Sequence, residues 1–283
     1  MTSRRSLLLT ASGLAALSAP PLLRAQAPAP SVADPARLIV TEPLWMPGLE
    51  RTRRLRVYLP PDYAAQPARH YPVIYLHDGQ NLFDAATGFN GEWGVDELLD
   101  RLARQQGLAA IAVGIDHGGE RRNTELRPWD HERIGKGEGF AYLRFLVETV
   151  KPYVDARWRT RPESASTALI GSSLGGLVTH AALHRHREVF GLGGVLSPAF
   201  WVNEPRARML AESEPLLAHQ RLVLYGGGRE DRDMLPMARR MAELLRRQSR
   251  HLLYIEEPAA GHNEAAWRAV LPRVLAHLFG DAG

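Results

Sequence analysis

The stretch Ser166–Leu183 reads STALIGSSLGGLVTHAAL. A short apolar run ends among glycines and two adjacent serines, and a helix-like pattern follows. A nucleophile carried on a tight strand-to-helix turn needs small residues two positions before and two after it, because strand and helix approach closely there. Ser173 is framed by Gly171 and Gly175, whereas Ser172 is framed by the bulky Ile170 and Leu174. The spacing therefore selects Ser173 as the candidate nucleophile, and Gly176 adds clearance on the helix. The N–H of Leu174, at the helix N-terminus, becomes a candidate oxyanion donor. The alternative for the whole stretch is a glycine-rich polar turn without chemistry.

Around this turn, short apolar runs alternate with longer helical patterns. Strands are expected at Leu38–Thr41, Leu55–Leu59, Val73–Leu76, Ala110–Ile115, Thr167–Ile170, Gly193–Leu196, Leu222–Tyr225 and Leu252–Ile255. Several are unbroken Val/Ile/Leu runs, as strands covered on both faces are. Helices are expected at Val95–Gln106, Phe140–Val154, Leu174–His186, Met234–Gln248 and Asn263–Leu278. The first strands follow one another without a helix, which predicts an antiparallel start. After them strand and helix alternate, which predicts an α/β fold of three layers on a mostly parallel sheet. Right-handed crossovers then bring the loops after the strands to one edge, where open α/β sheets bind ligands.

Those loops hold the unusual residues. After Val73–Leu76 comes His77-Asp78-Gly79-Gln80-Asn81; Gly79 permits close backbone approach, and the N–H of Gly79 or Gln80 is the second candidate oxyanion donor. After Leu222–Tyr225 come Glu230, Asp231 and Asp233, candidates for the carboxylate that orients a base. Glu230 is preferred, then Asp231. After the last strand, Gly261-His262 precedes a helix, and His262 is the candidate base among eleven histidines. His180, His184 and His186 fall on the helix after Ser173 and are expected to be structural. Serine, then acid, then histidine is the chain order of an α/β-hydrolase triad. His77 and Asp78 lack a further partner at metal-ligand spacing, so neither metal nor cofactor is expected.

The chain has 283 residues, 45% of them hydrophobic and 23% charged, and this suits one large domain. The absence of cysteine excludes Cys nucleophiles, Cys-ligated zinc and disulfides. The 35 basic residues, nearly all arginine, outnumber 31 acidic ones by four, but no groove-binding motif accompanies them. A nucleic-acid partner is not expected. Arg4 and Arg5 followed by the apolar stretch Leu7–Leu17 predict an export signal of twin-arginine type over residues 1–27, with Ala25-Gln26-Ala27 as cleavage motif. The stretch is too short to span a bilayer, so the mature protein is expected in the periplasm or secreted, without a membrane span; left uncleaved, the segment would act as an N-terminal membrane tether. Residues 28–36 read as linker and 37–283 as one domain. The longest irregular segment, Gly118–Gly139, carries Arg121, Arg122, Arg127, Arg133, Trp129 and His131, and reads as a binding loop or a solvated one.

Seven stretches in order resemble one known family: VIYLHDGQNLFD (Val73–Asp84), AVGIDHGGERRNTELRP (Ala112–Pro128), FLVETVKPYVDARWRT (Phe145–Thr160), LIGSSLGGL (Leu169–Leu177), VLSPAFWV (Val195–Val202), YGGGRED (Tyr225–Asp231) and GHNEAAW (Gly261–Trp267). The family is the esterase family of α/β-hydrolases that includes esterase D-type enzymes, ferric-enterobactin (siderophore) esterases, feruloyl and acetyl-xylan esterases, and mycobacterial mycolyltransferases. The resemblance runs from about Leu55 to Phe279 and implies Ser173 as nucleophile and His262 as general base. It leaves the acid open, because some siderophore esterases of the family work with a Ser–His dyad. It implies an oxyanion role for the Gly79/Gln80 backbone, and aromatic positions near the active site, or else in the core, for Trp201 and Trp267. Arg122 belongs to a rim suited to anionic or aromatic acyl groups. The implied substrate is a small-molecule or polysaccharide-linked ester; the rival readings are an acyltransferase and a non-catalytic binding protein on the same scaffold.

Overall fold

The computed structural model describes residues 31–231 and 233–280. The expected export signal, residues 1–27, lies outside them. Ten strands are present: β1 (Leu38–Val40), β2 (Leu44–Met46), β3 (Arg51–Arg53), β4 (Leu55–Tyr58), β5 (Val73–His77), β6 (Ile111–Ile115), β7 (Thr167–Ser172), β8 (Leu192–Leu196), β9 (Arg221–Gly227) and β10 (Leu252–Glu257). Eight of them form one sheet in the order β1-β4-β6-β5-β7-β8-β9-β10. β4 runs antiparallel to both β1 and β6, and every pairing from β6 to β10 is parallel. This is the α/β-hydrolase-like, mostly parallel sheet with an antiparallel start that the apolar runs predict.

The helices are α1 (Val95–Gln106), α2 (Arg122–Glu125), α3 (Gly139–Phe145), α4 (Lys151–Arg157), α5 (Leu174–Arg185), α6 (Glu204–Ser213), α7 (Met234–Arg246) and α8 (Glu264–Phe279), with a π-helical turn, Leu146–Val150, joining α3 to α4. Alternate residues of each strand serve opposite faces. Val73 and Tyr75 of β5 pack in the core shared with α3, α5, α6 and α7, while Ile74 and Leu76 pack in the core shared with α1 and α8. A sheet covered on both faces needs apolar residues at consecutive positions, which is why its strands do not alternate.

Some elements escape the sequence pattern. β2 and β3 form a separate antiparallel hairpin, and α6 follows a 3₁₀ turn at Phe200–Val202. Residues 31–36 were expected to be linker, yet they are tied to the domain. Ser31 donates to Glu92 at 2.8 Å, the N–H of Ala33 donates to Asp96 at 2.7 Å, and Val32 packs on the α1 face of the sheet. Among the described residues no helix is long and apolar enough to cross a membrane.

Candidate active site

β7 runs two residues further than its apolar run suggests, to Ser172, so that Ser173 falls between strand and α5 with φ 57° and ψ −121°. A left-handed φ on a residue with a Cβ costs roughly 1–3 kcal/mol and persists only where the surroundings fix it. Here they do: the Ser173 N–H donates to the Leu196 carbonyl at 3.0 Å, and its own carbonyl accepts from Leu177 and Ala199, also at 3.0 Å. Gly171 is sterically required, and Gly175 is closely packed. A Cβ on Gly171 would lie 2.6 Å from the Gly175 carbonyl and from the His77 ring, and one on Gly175 would lie 3.3 Å from His77. His77 forms the wall behind this turn. Its Nδ1 sits 2.8 Å from the Tyr142 hydroxyl, and burial pushes its pKa down to about 4, so the wall is uncharged at neutral pH.

Ser173 opens into a cleft of about 590 Å³, of the size that small ligands occupy. Three segments complete its lining: Asp78, Asn81, Phe89 and Asn90; His117, Gly119, Arg122 and Asn123; and His262, Glu264 and Trp267. Ser173 and His262 therefore share one cleft. Among the described residues no hydrogen bond joins them; such bonds commonly tighten only when substrate is bound. Asn263 caps α8 by accepting from Ala266 at 3.0 Å, which fixes His262 just before the helix.

The acid candidates separate cleanly. The Glu230 side chain is 1% exposed, and its Oε1 lies 3.8 Å from His262 Nδ1. Asp231, the next residue, is exposed, as is Asp233. Two backbone hydrogen bonds of 2.9 Å, Gly228 to Glu257 and Arg229 to Ala260, stitch the loop bearing Glu230 to the loop bearing His262. Ser197, which the sequence reading passed over, completes the arrangement. It is 1% exposed, has φ 43°, donates to Glu230 Oε1, and accepts from the Trp267 indole at 2.9 Å. The only sequence signal for it was its place in the VLSPAFWV stretch. Trp267 is 6% exposed and packs edge-on against His262, with ring centroids 5.1 Å apart. It is thus a core residue and a wall of the cleft at once.

On the opposite side, Asp78 adopts a left-handed conformation (φ 57°, ψ 52°) and starts the 3₁₀ turn Gly79–Asn81. The N–H groups of Gly79, Gln80 and Leu174 donate to no described residue, as first-turn N–H groups of helices do not. The Gln80 amide clamps the His117 backbone instead, accepting at 2.8 Å and donating at 3.1 Å. Arg122 reaches into the cleft and binds Asp78 through Nε at 2.6 Å and Nη2 at 2.8 Å. Burial pushes the Asp78 carboxyl up, but this guanidinium outweighs it and holds the group below the usual carboxylate range.

The segment Gly118–Gly139 divides in function. Gly119, Arg122 and Asn123 border the cleft, while Arg127 is 1% exposed and pins the loop by donating to the carbonyls of Asn123, Ile134, Gly135 and Lys136. Trp129 packs on Phe140. Trp201, 46% exposed, lies outside the Ser173 cleft, in a separate groove with His131 and Arg133.

The model of the family described as "Putative esterase" matches residues 47–278. A Bacillus subtilis protein, YbbA, described as uncharacterized, is 29% identical over 67% of this chain and 73% of its own length. A siderophore triacetylfusarinine C esterase of Aspergillus fumigatus is 30% identical over 47% of this chain and 45% of its own length. The solved structure of an IroE-like serine hydrolase from Shewanella oneidensis superposes with a TM-score of 0.71 at 22% identity, over 86% of this chain and 80% of that one.

Proposed function

The chain belongs to the "Putative esterase" family of carboxylic-ester hydrolases, and from that premise we propose that it acts through an acyl-enzyme on Ser173, with His262 as general base and Glu230 as the orienting acid. The observation that carries the reading is the strained Ser173, framed by Gly171, which admits no side chain, and the closely packed Gly175, in the same cleft as a histidine backed by a buried carboxylate.

Ser173 Oγ attacks the ester carbonyl carbon while His262 takes its proton. The oxyanion is received by the N–H of Leu174 and by that of Gly79 or Gln80; losing one such donor costs about 3–4 kcal/mol in comparable sites. The alcohol leaves with the proton from His262, and a water deprotonated by the same imidazole hydrolyses the acyl-enzyme. Siderophore, feruloyl and acetyl esters form the substrate range, in keeping with the siderophore esterase among the relatives. The paired arginines and short apolar stretch of residues 1–27 support export of the domain.

A fluorophosphonate should label the wild-type protein and fail to label Ser173→Ala. Absence of wild-type labelling would refute the serine mechanism. His262→Ala should lower kcat by at least ~10³-fold with the fold intact; a loss under about tenfold would move the base elsewhere.

A further inference from the structure

Glu264 is the acidic residue of the cleft lining that neither the proposed chemistry nor an ion pair among the described residues engages. It is the first residue of α8, is 7% exposed, and faces the same cleft as Ser173 and His262. Its carboxylate takes no hydrogen bond and forms no ion pair among the described residues. The helix does not need it as a cap, because Asn263 already fills that role. Nor does Arg122 satisfy it, since that guanidinium is bidentate to Asp78. The side chain is otherwise enclosed, and its carboxylate oxygens, which no described residue engages, belong to the cleft lining.

The rest of the lining has a consistent character. Asp78 and Glu264 stand against the single guanidinium of Arg122, so the lining carries an excess negative charge. Asn81, Asn90, Asn123 and His117 offer hydrogen bonds, while Phe89, 88% exposed, and Trp267 supply apolar walls. Arg121, Arg127 and Arg133, which would have made an anion-seeking rim, lie outside the cleft.

We propose that Glu264 is a specificity-determining residue: it accepts a hydrogen bond from a hydroxyl or amide N–H of the bound ester, and it makes the cleft select uncharged, hydroxyl- or amide-bearing esters over anionic ones. The inference rests on Ser173 being the nucleophile of this cleft. For iron-carrying esters it favours hydroxamate complexes, which are uncharged when three hydroxamates bind ferric iron, over the trianionic complexes of three catecholates.

The test compares p-nitrophenyl valerate with mono-p-nitrophenyl glutarate, two acyl chains of equal length that differ in a terminal charge, each corrected for its rate of alkaline hydrolysis. Wild type should favour the valerate in kcat/KM by about tenfold, and Glu264→Gln should bring the ratio close to parity, as removal of one nearby like charge does at moderate effective dielectric. A purely structural role would alter both esters alike. An unchanged ratio in Glu264→Gln, or a wild-type preference for the glutarate, overturns the proposal. Fluorophosphonate labelling on the same preparations separates the two readings: labelled protein with an unchanged ratio refutes Glu264 alone, and unlabelled wild type refutes the serine mechanism beneath it.

Discussion

Glu230 and Asp231 are adjacent in sequence and opposite in surroundings, one enclosed against Ser197 and His262, the other in solvent. Glu230→Gln should lower kcat by about 10²-fold or more, because an amide no longer favours the charged imidazole, whereas Asp231→Asn should change it less than about twofold, in the range of ordinary surface substitutions. Equal, mild effects would mean that Ser173 and His262 act as a dyad. That Ser173 sits on a strained strand-to-helix turn and shares a cleft with His262 was legible in the sequence, because glycine spacing and chain order are one-dimensional signals. Which carboxylate approaches His262 was legible only as a shortlist, because a one-residue step along a loop reverses exposure without changing composition. Trp201 lies on the 3₁₀ turn Phe200–Val202 and borders a separate groove, a placement that its position in the chain does not announce.

Among the elements, α5 and α6 share an acid-sensitive contact. His180 and His184 of α5 pack with ring centroids 4.7 Å apart, and their nitrogens meet the carbonyls of Ala207 at 3.1 Å and Glu214 at 2.8 Å. Burial, reinforced for His180 by its neighbour, lowers their pKa values to about 3 and about 4 from an ordinary 6.5. The unfolded chain therefore binds protons that the folded one refuses. Their contribution is fully present above pH 6.5 and declines as pH falls toward 4, with a slope of up to about 1.4 kcal/mol per pH unit for each histidine. Melting temperatures between pH 7 and pH 4 should fall more steeply for wild type than for the double substitution His180→Gln, His184→Gln; equal slopes would refute the assignment. The strands of the main sheet were legible because burial on both faces leaves unbroken apolar runs. The β2–β3 hairpin was not: the charged Arg51 and Arg53 break the apolar pattern of a strand, yet Arg53 is 6% exposed and paired with Glu125. The start of α6 did leave a signal, the Asn203 cap with Pro205 in the first turn.

At the scale of the molecule, one face of the sheet depends on the C-terminal helix. Trp267, Val270, Leu271, Val274, Leu275 and Leu278 of α8 are all buried there. A chain ending at Glu257 should lose the cooperative fold as well as activity, measured as loss of a thermal transition and of fluorophosphonate labelling; retention of a sharp transition would show that α8 serves the site alone. The three-layer plan was readable from the alternation of elements, while the docking of residues 31–36 was not, since a Pro- and Ala-rich segment carries no pattern to announce its partners. The order of the site along the chain also has a meaning in time. Synthesis delivers Ser173 first, then Glu230, then His262, with the loops of the latter two stitched together only once β10 has been added beside β9. Under the proposed mechanism a growing chain holds an inert serine until His262 has been added, and reactivity follows the pairing of β9 with β10 rather than the folding of the turn around Ser173.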